Sequence, residues 1–289
     1  ERGLSIDRFA KGLSFNFDVF GNLWEQVAKF RAGRRLWAKI LREKYGATEP
    51  RSMQLRMIAG GGGAGLTIQQ PENNIVRGAY YALASALSGA QTMALCSYDE
   101  AYTIPSQHAA KISLRTMQIL MHEAGLCDTV DPLAGSWFVE TTTNEMEARI
   151  VEIMRDLDEK GGIVRGISEG LVQAEVSRQA YEQERRLSKG ETRKVGVNCF
   201  VEDEEEREVE FHPYREAEAR KQIQRLDAIR RDRDASRVEA ALARVREDAA
   251  SGTNLMPAAM DAVEAYASVG EICGALESVF GSYVEPVRF

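Results

Sequence analysis

Cysteine is sparse and scattered in this sequence of 289 residues. The four cysteines lie far apart and include no C-x-x-C pair (Cys96, Cys127, Cys199 and Cys273). A disulfide framework or a zinc knuckle needs cysteines at close, regular spacing. The sequence therefore indicates neither, and we expect reduced cysteines that are mostly buried.

Histidine is equally scarce, and its three positions have no metal-ligand spacing (His108, His122 and His212). We expect each of them to be structural, and we expect no metal site built from the chain. No Ser-His-Asp order and no nucleophile elbow is present, so the sequence does not favour a hydrolase.

Long apolar runs and a surplus of basic residues are also lacking. No stretch of about 18 apolar residues occurs, and the start, ERGLSIDRF, lacks the basic-then-apolar pattern of a signal peptide. We therefore expect a cytoplasmic protein without membrane association. The net charge of -7 argues against a general nucleic-acid surface. The first residue is not methionine, which suggests a fragment, a processed product or a trimmed chain.

The first half of the chain alternates strand and helix patterns. Strands are predicted at 13–20, 54–59 and 92–98. Each is followed by an amphipathic helix pattern, from the Asn22 cap to Gly46, from about Asn74 to Gly89, and over about 106–124. Three successive strand-then-helix units favour a parallel sheet with helical crossovers, hence an α/β fold.

The second half reads as mostly helical. An N-x-x-E pattern at Asn144 and Glu147 predicts a helix start, and a further helix is predicted over about 164–188. The segment 194–211 resembles a short strand interrupted by an acidic run from Glu202 to Glu206, which predicts a solvated loop or, alternatively, a docking surface for a basic partner. One long charged helix over about 214–250 and two short helices, 257–267 and 269–280, complete the prediction.

The glycine run AGGGGAG at 59–65 is the most distinctive local feature. Exposed amides in such turns bind phosphate, but no Lys-Ser/Thr pair follows and no acidic residue stands about 20 positions on. A purely structural turn and a surface that a bulky ligand approaches closely are the other interpretations. Asp99 and Glu100, just beyond the third strand, predict either a helix cap or hydrogen bonds to a polar ligand.

Several segments in a consistent order carry a resemblance to a known family: RAGRRLW at 31–37, the LTxQxPxNNIVR pattern at 66–77, DEA at 99–101, DPLAGSWFVE at 131–140, MRDLDEKGGIVRGISEG at 154–170, VGVN at 195–198 and the terminal VGEICGALESVFG. Together they resemble the large, substrate-binding subunit of adenosylcobalamin-dependent acyl-CoA mutases, the methylmalonyl-CoA mutase family. The resemblance runs over essentially the whole chain.

The resemblance implies a (β/α)8 TIM barrel, of which residues 1–125 would form the last three β/α units. Residues 126–289 would form a mostly helical C-terminal extension toward the cobalamin-binding module. The family's upstream tyrosine, histidine and arginine have no counterpart here, so no catalytic residue is assigned. Implied partners are a polypeptide carrying the first barrel strands, a small cobalamin-binding subunit that supplies adenosylcobalamin, and an acyl-CoA substrate.

By the same resemblance, Gln91, Glu100, Ala101 and Gly63 match cofactor-contacting positions. Ser14 matches a serine along the coenzyme A channel, and Gln91 also matches a substrate-region glutamine. Gly60 stands in a stretch where relatives read HxQTSGW and this chain has glycines and alanine at 60–64. Relatives read QSLHTN where this chain reads QTMALC at 91–96.

These departures replace large or polar groups with small or apolar ones, which predicts an acyl group bulkier or more apolar than methylmalonyl. The implied reaction is a radical 1,2-rearrangement of the acyl-CoA skeleton, in which Glu100 and Gln91 would orient the adenosyl group. The alternative is a non-catalytic or degenerate subunit that completes a mutase barrel. Nucleotide binding by the glycine run is a third reading.

Overall fold

A computed structural model of the chain describes residues 3–202 and 211–286. These residues form mostly helices around a small parallel sheet. The strands are β1 (Phe15–Asp18), β2 (Met57–Gly60) and β3 (Thr92–Met93). The helices are α1 (Ile6–Phe9), α2 (Leu23–Glu43), α3 (Asn73–Leu87), α4 (Gln107–His122), α5 (Trp137–Glu159), α6 (Gly162–Ser168), α7 (Leu171–Ser188), α8 (Glu216–Asp232), α9 (Ala235–Ser251), α10 (Leu255–Glu264) and α11 (Val269–Phe280).

The sheet confirms the predicted parallel arrangement, in the order β1-β2-β3. Its register pairs Asp18 of β1 with Gly60 of β2, and Ile58 of β2 with Thr92 of β3. The strands are shorter than predicted. The Ala94 amide makes a last bond to the Ala59 carbonyl (3.0 Å) before the chain turns into a loop at the sheet's end.

Only one face of the sheet is covered by helices among the described residues. Phe15, Phe17 and Met57 pack toward α2 and α3, in a core whose buried members are Val19, Phe30, Leu55, Met57, Ala59, Tyr81 and Ala84. The strand residues between these point to the opposite face and are exposed, among them Asn16 and Ile58. Ile58 has 42% of its surface accessible. An uncovered face is unusual for a parallel sheet, which is normally packed on both sides.

Helix α2 begins as predicted, because the Asn22 side chain accepts hydrogen bonds from the amides of Trp24 and Glu25. Helix α5 does not begin where its pattern predicted. It starts at Trp137, and the carboxylate of Glu140 accepts from the Gly135 amide just before it. Asn144 instead lies within the helix and bonds to a guanidinium of α2, so its polarity reflects helix-to-helix contact rather than capping.

Two predicted helices are each divided. The helix expected over 164–188 breaks into α6 and α7 at Gly170, whose φ of 74° is left-handed. The helix expected over 214–250 breaks into α8 and α9, because the Asp234 side chain caps a new helix by accepting from the Arg237 amide. Within the expected strand-like segment, residues 194–202 form a loop with a bridge between Val195 and Cys199. Residues 203–206 of the acidic run lie outside the described residues.

The helices predicted at 257–267 and 269–280 are confirmed as α10 and α11, the first displaced toward the N-terminus.

The chain forms two compact units, which divide between His212 and Pro213. The first holds the sheet, with α5 packed along α2. The second contains α8 to α11 and has its own small core, formed by Val238, Leu242, Val245, Ala258, Ala262, Ala265 and Ala275. The predicted division at residue 125 stays a prediction.

None of the helices in the described ranges is long and apolar enough to cross a bilayer. Within the same ranges, no group of three or more His, Cys, Asp or Glu side chains is placed to hold a metal ion.

In the second unit, Glu271 joins α11 to the end of α8. Its carboxylate accepts from both terminal nitrogens of Arg233, and it completes a capping box with Ser268. Arg233 also donates to the Tyr266 carbonyl (2.8 Å). The hydrogen bonds from Arg233 are the main cause that holds the pKa of Glu271 well below its usual value.

We therefore expect Glu271→Gln to destabilise the second unit by about 1 kcal/mol at neutral pH, since a charge-assisted pair is lost at a partly exposed site. A lowered carboxyl pKa contributes stability that is complete above the ordinary value of 4.5 and is lost as the pH falls. Urea unfolding at pH 7 and at successively lower pH should show the gap between wild type and variant closing in acid. Glu264→Gln, an exposed α10 carboxylate, is the matched control; a gap that does not vary with pH contradicts the ionic account.

Candidate active site

The carboxyl ends of the three parallel strands meet at one edge of the sheet, which we call the carboxyl edge. It comprises Asp18, which ends β1, with Val19 after it, residues 60–65 from the end of β2 onward, and residues 94–101 after β3. In parallel α/β folds, this is where ligands bind, because the loops that follow the strands converge there. The glycine run therefore lies where a site is expected.

The glycine run folds as a tight turn held by Asp18. Gly62 has a left-handed φ of 73°, and Gly63–Gly65 form one turn of 3₁₀ helix. The Oδ1 atom of Asp18 accepts from the Gly62 amide at 2.9 Å and from the Val19 amide at 3.0 Å. The turn amide of Gly62 is thus bonded to a carboxylate of the protein rather than being presented to a phosphate.

Three of these glycines are required because the protein itself packs against them. A Cβ at Gly61 would lie 2.0 Å from the Cys96 nitrogen, and one at Gly62 would lie 2.5 Å from the Tyr81 ring. At Gly65 it would lie 2.1 Å from the Tyr81 hydroxyl. These positions agree with the structural-turn interpretation. Gly63 is different, because it is exposed and its Cβ would meet only the Cys96 sulfur at 3.5 Å.

Glu100 is tied into the loop after β3. Its Oε1 atom accepts from the Ser97 amide at 2.7 Å.

Burial, and then the neighbouring Glu100 and Asp18 carboxylates, raise the pKa of Cys96 to about 12. Cys96 therefore remains a neutral thiol at physiological pH and is not an activated nucleophile.

Asp99 is bonded within the protein through one of its two carboxylate oxygens. Its side chain is buried, and Oδ2 accepts from the amide of Ser106, the residue that caps α4. This arrangement agrees with the helix-cap interpretation for Asp99. Glu100 beside it is exposed, as expected for adjacent residues that point in opposite directions.

An open cleft of about 400 Å³ brings together three of the predicted cofactor-contacting residues, Gly63, Glu100 and Ala101. Its other wall comes from the end of α7 and the loop after it, with Leu187, Lys194 and Val197. Burial, together with repulsion from Arg77, lowers the pKa of Lys194. The cleft thus combines a carboxylate, an ammonium group and apolar surface beside a residue without a side chain.

The LTxQxPxNNIVR segment holds this second wall in place. Asn74 is buried, and its amide nitrogen donates to the carbonyls of Thr67 (2.8 Å) and Tyr98 (2.9 Å). Arg77 donates to the Asn74 side chain (2.7 Å) and to the Val195 carbonyl (2.7 Å). Gln70 reaches the Phe200 carbonyl at 3.0 Å. The motif therefore connects the loop after β2, the loop after β3 and the VGVN segment.

The RAGRRLW and DPLAGSWFVE segments bind each other. Arg31 pairs with Asp131 and with Glu140 (2.6 Å), and Arg35 of the same helix pairs with Glu147. These contacts fix α5 and the segment just before it against α2. Both motifs stabilise the packing of α5 on α2, and neither contributes a side chain to the lining of the cleft.

Ser14 and Gln91 lie at the opposite, amino-terminal edge of the sheet. Ser14 is exposed immediately before β1, and Gln91 immediately precedes β3. The Gln91 side-chain oxygen accepts from the Met57 amide at 2.9 Å. The structure therefore does not bring these two residues to Gly63, Glu100 and Ala101. Gly60 lies at the end of β2, between the two groups, on the uncovered face.

Sequence reasoning missed Asp18, Asn74, Arg77 and Lys194 as parts of the site. A signal was present for Asn74 and Arg77, because both stand in a motif that was recognised without a role. Asp18 is one polar residue at a strand end, and Lys194 follows no motif, so neither could be found without the fold.

These features define an α/β protein with a candidate ligand site at the carboxyl edge of a parallel sheet. Residues 1–282 match the family model described as methylmalonyl-CoA mutase. The chain belongs to this family, whose members are isomerases that act on acyl-CoA esters.

Curated relatives agree with this assignment. The chain is 41% identical over 288 residues to the 2-hydroxyisobutanoyl-CoA mutase large subunit of Aquincola tertiaricarbonis. The matched region covers 99% of the chain and 51% of that protein. It is 36% identical to methylmalonyl-CoA mutase of Escherichia coli K12, over 98% of the chain and 40% of the relative. It is 35% identical to the human mitochondrial methylmalonyl-CoA mutase, over 98% and 38%. The chain thus spans about half, or less, of the length of these relatives.

The packing of the glycine run predicts opposite outcomes at two adjacent positions. Gly62→Ala should destabilise the chain by about 2 kcal/mol or more, because it combines a left-handed φ with contact against the Val19 carbonyl and the Tyr81 ring. Gly63→Ala should change stability by less than about 0.5 kcal/mol, since its Cβ makes ordinary contact. Urea unfolding of the two variants measures both. Equal losses at the two positions would contradict the assignment of Gly62 to the turn and Gly63 to the cleft.

Proposed function

We propose that the chain is part of an adenosylcobalamin-dependent acyl-CoA mutase that catalyses a radical 1,2-rearrangement of the acyl-CoA carbon skeleton. The observation that carries the proposal is the cleft at the carboxyl edge, which gathers Gly63, Glu100 and Ala101 in a chain of the methylmalonyl-CoA mutase family. At such a site, a bound cofactor would supply the chemistry, and the protein would supply binding and orientation.

The uncovered sheet face supports a larger barrel around it. Three parallel strands expose Asn16, Ile58 and Thr92 on one face, whereas the other face is packed against helices. Five further strands would close a (β/α)8 barrel, convert the exposed face into its interior and pair both open edges. We propose that a polypeptide carrying the first barrel strands supplies them, and that residues 1–125 are the last three β/α units. Residues 126–289 would be the helical extension.

The residues of the cleft fit one face of a cobalamin. Gly63 is exposed without a side chain beside a broad opening, as close approach of a flat macrocycle requires, and Ala101 presents a small group next to it. Glu100 is exposed and oriented by the Ser97 amide, so it can accept a hydrogen bond from the adenosyl group. When bound, the cofactor supplies a cobalt–carbon bond whose homolysis starts the rearrangement. We propose that a separate small subunit brings it, as the "large subunit" in one relative's name suggests.

The chain's own residues would bind the ester along the uncovered face. Ser14 and Gln91 at the amino edge would lie along the coenzyme A channel, and Gly60 near the carboxyl edge would border the acyl group. Because Gly60 adds no side chain there, we propose an acyl group bulkier or more apolar than methylmalonyl. The 2-hydroxyisobutanoyl-CoA mutase relative supports a branched acyl group.

A non-catalytic role in completing a mutase barrel is the second candidate. One observation favours it: at the carboxyl edge, the Cys96 thiol stays protonated, and the Asp18 and Glu100 carboxylates are both engaged with backbone amides. In that case, the chain would supply architecture and cofactor contacts only.

Reconstitution distinguishes the two. The chain is combined with the polypeptide carrying the first barrel strands and with the cobalamin-binding subunit, and native mass spectrometry establishes that all three assemble. We expect turnover of a branched neutral acyl-CoA to exceed turnover of methylmalonyl-CoA at least tenfold in kcat/KM, a difference of about 1.4 kcal/mol in transition-state binding. Preference for methylmalonyl-CoA contradicts the substrate proposal. Full assembly without turnover of any acyl-CoA favours the non-catalytic candidate.

The cofactor assignment can be tested without turnover. Gly63→Phe places a ring in the cleft, so we expect it to weaken adenosylcobalamin binding by the assembly at least tenfold, measured by absorbance titration, while the three subunits still assemble. Gly274→Phe is the control, because Gly274 lies on α11 with open space around its Cβ position. Unchanged cofactor affinity in Gly63→Phe would show that the cleft is not the cobalamin face.

A further inference from the structure

Asp18 is a charged residue of the carboxyl edge to which the resemblance gave no role. It ends β1, is exposed, and pairs in register with Gly60, the residue proposed to border the acyl group. Side chains of β1 alternate, so Asp18 shares the uncovered face with Asn16. In the proposed barrel, this carboxylate would lie at the inner rim, beside the acyl end of the substrate.

The carboxylate is held in a fixed orientation. Oδ1 accepts from two backbone amides, those of Val19 and Gly62. Two hydrogen bonds of this kind restrict the side chain to one rotamer. Asp18 therefore presents a negative charge at a defined place rather than sampling the solvent.

One cation, Lys29, lies near this carboxylate: burial lowers the pKa of its ammonium group, and attraction to Asp18 opposes that shift. Asp18 makes no ion pair with any residue in the described part of the chain. The nearest ammonium group, on Lys29, donates instead to the main-chain carbonyl of Asp18 (2.7 Å) and to the side chain of Gln26 (2.5 Å). Lys194 lines the cleft on its far wall together with Glu100.

A second carboxylate reinforces the field. Both Asp18 and Glu100 act electrostatically on the Cys96 thiol, which lies between the turn after β2 and the loop after β3. The rim therefore carries two negative charges around one neutral group. An acyl group with its own carboxylate would add a third negative charge at this rim and would be repelled by the other two.

We propose that Asp18 is a specificity-determining residue that restricts the substrate to acyl-CoA esters whose acyl group carries no carboxylate. This inference rests on the proposed function and sharpens it, because size alone does not separate a neutral branched acyl group from a dicarboxylic one. The repulsion acts on the ground state and the transition state alike, so it changes the binding affinity and kcat/KM while leaving kcat unchanged.

The test uses the assembled complex and two probes of similar size, isobutyryl-CoA and methylmalonyl-CoA. Asp18→Asn is nearly isosteric, and its amide oxygen still accepts from the Val19 and Gly62 amides, so the turn is retained while the charge is removed. We expect the variant to shift the ratio of dissociation constants toward methylmalonyl-CoA by at least tenfold, with little change for isobutyryl-CoA. The shift should shrink at high salt, since it is electrostatic. Titration calorimetry measures both ligands.

Glu43→Gln, which removes an equal charge from the exposed end of α2, is the matched control and should leave the ratio unchanged. An unchanged ratio in Asp18→Asn, or an equal shift in Glu43→Gln, overturns the inference. Turnover is recorded in parallel. A shifted binding ratio without any turnover supports the inference and refutes the mutase proposal, whereas turnover with an unshifted ratio does the reverse. Binding of neither ester by the wild-type assembly overturns both.

Discussion

The close approach of two backbones at the end of the sheet is the constraint on which the carboxyl edge depends. The turn after β2 reaches the chain after β3 so closely that Gly61 has no room for a Cβ beside the Cys96 amide. Tyr81 of α3 fills the space under Gly62 and Gly65, and the Asp18 carboxylate of β1 holds the turn from the other side. Three strands and one helix are thus locked together by a segment that has almost no side chains of its own.

This packing changes what the glycine run means. A row of glycines suggests open space, but three of them here are occupied by other parts of the protein. Open space remains at Gly63, and it becomes part of a cleft only because Glu100, Ala101 and the loop after α7 surround it. Glycine composition indicates that something approaches closely. Whether that is a ligand or a neighbouring helix is decided by tertiary packing.

The sequence predicted the sheet well, since each strand-then-helix unit is local and the parallel order follows from connecting helices. It predicted the second half less well. Asn144 and Glu147 read as a helix start because capping and ion pairing use the same residue types, and only the position of Arg35 on another helix separates the two. Asp234 read as part of a continuous charged helix, although it caps a new one.

Of the candidate site, Gly63, Glu100 and Ala101 meet in one cleft, whereas Gln91 and Ser14 stand at the other edge. The predicted strands 13–20 and 92–98 already put Ser14 and Gln91 at the strand starts, but matching residues one by one to the family did not use that position.

The wall of the cleft opposite Gly63 is attached in a particular way. Arg77 and Gln70 grip the carbonyls of Val195 and Phe200, which are main-chain atoms that every residue type supplies. The fastening therefore does not depend on which side chains the 194–200 loop carries. The side chains of this wall, Lys194 or Val197 for example, can therefore be substituted without loss of the hydrogen bonds that hold the loop in place. A lineage could thus adapt one side of the ligand site to new chemistry while the glycine turn on the other side remains fixed.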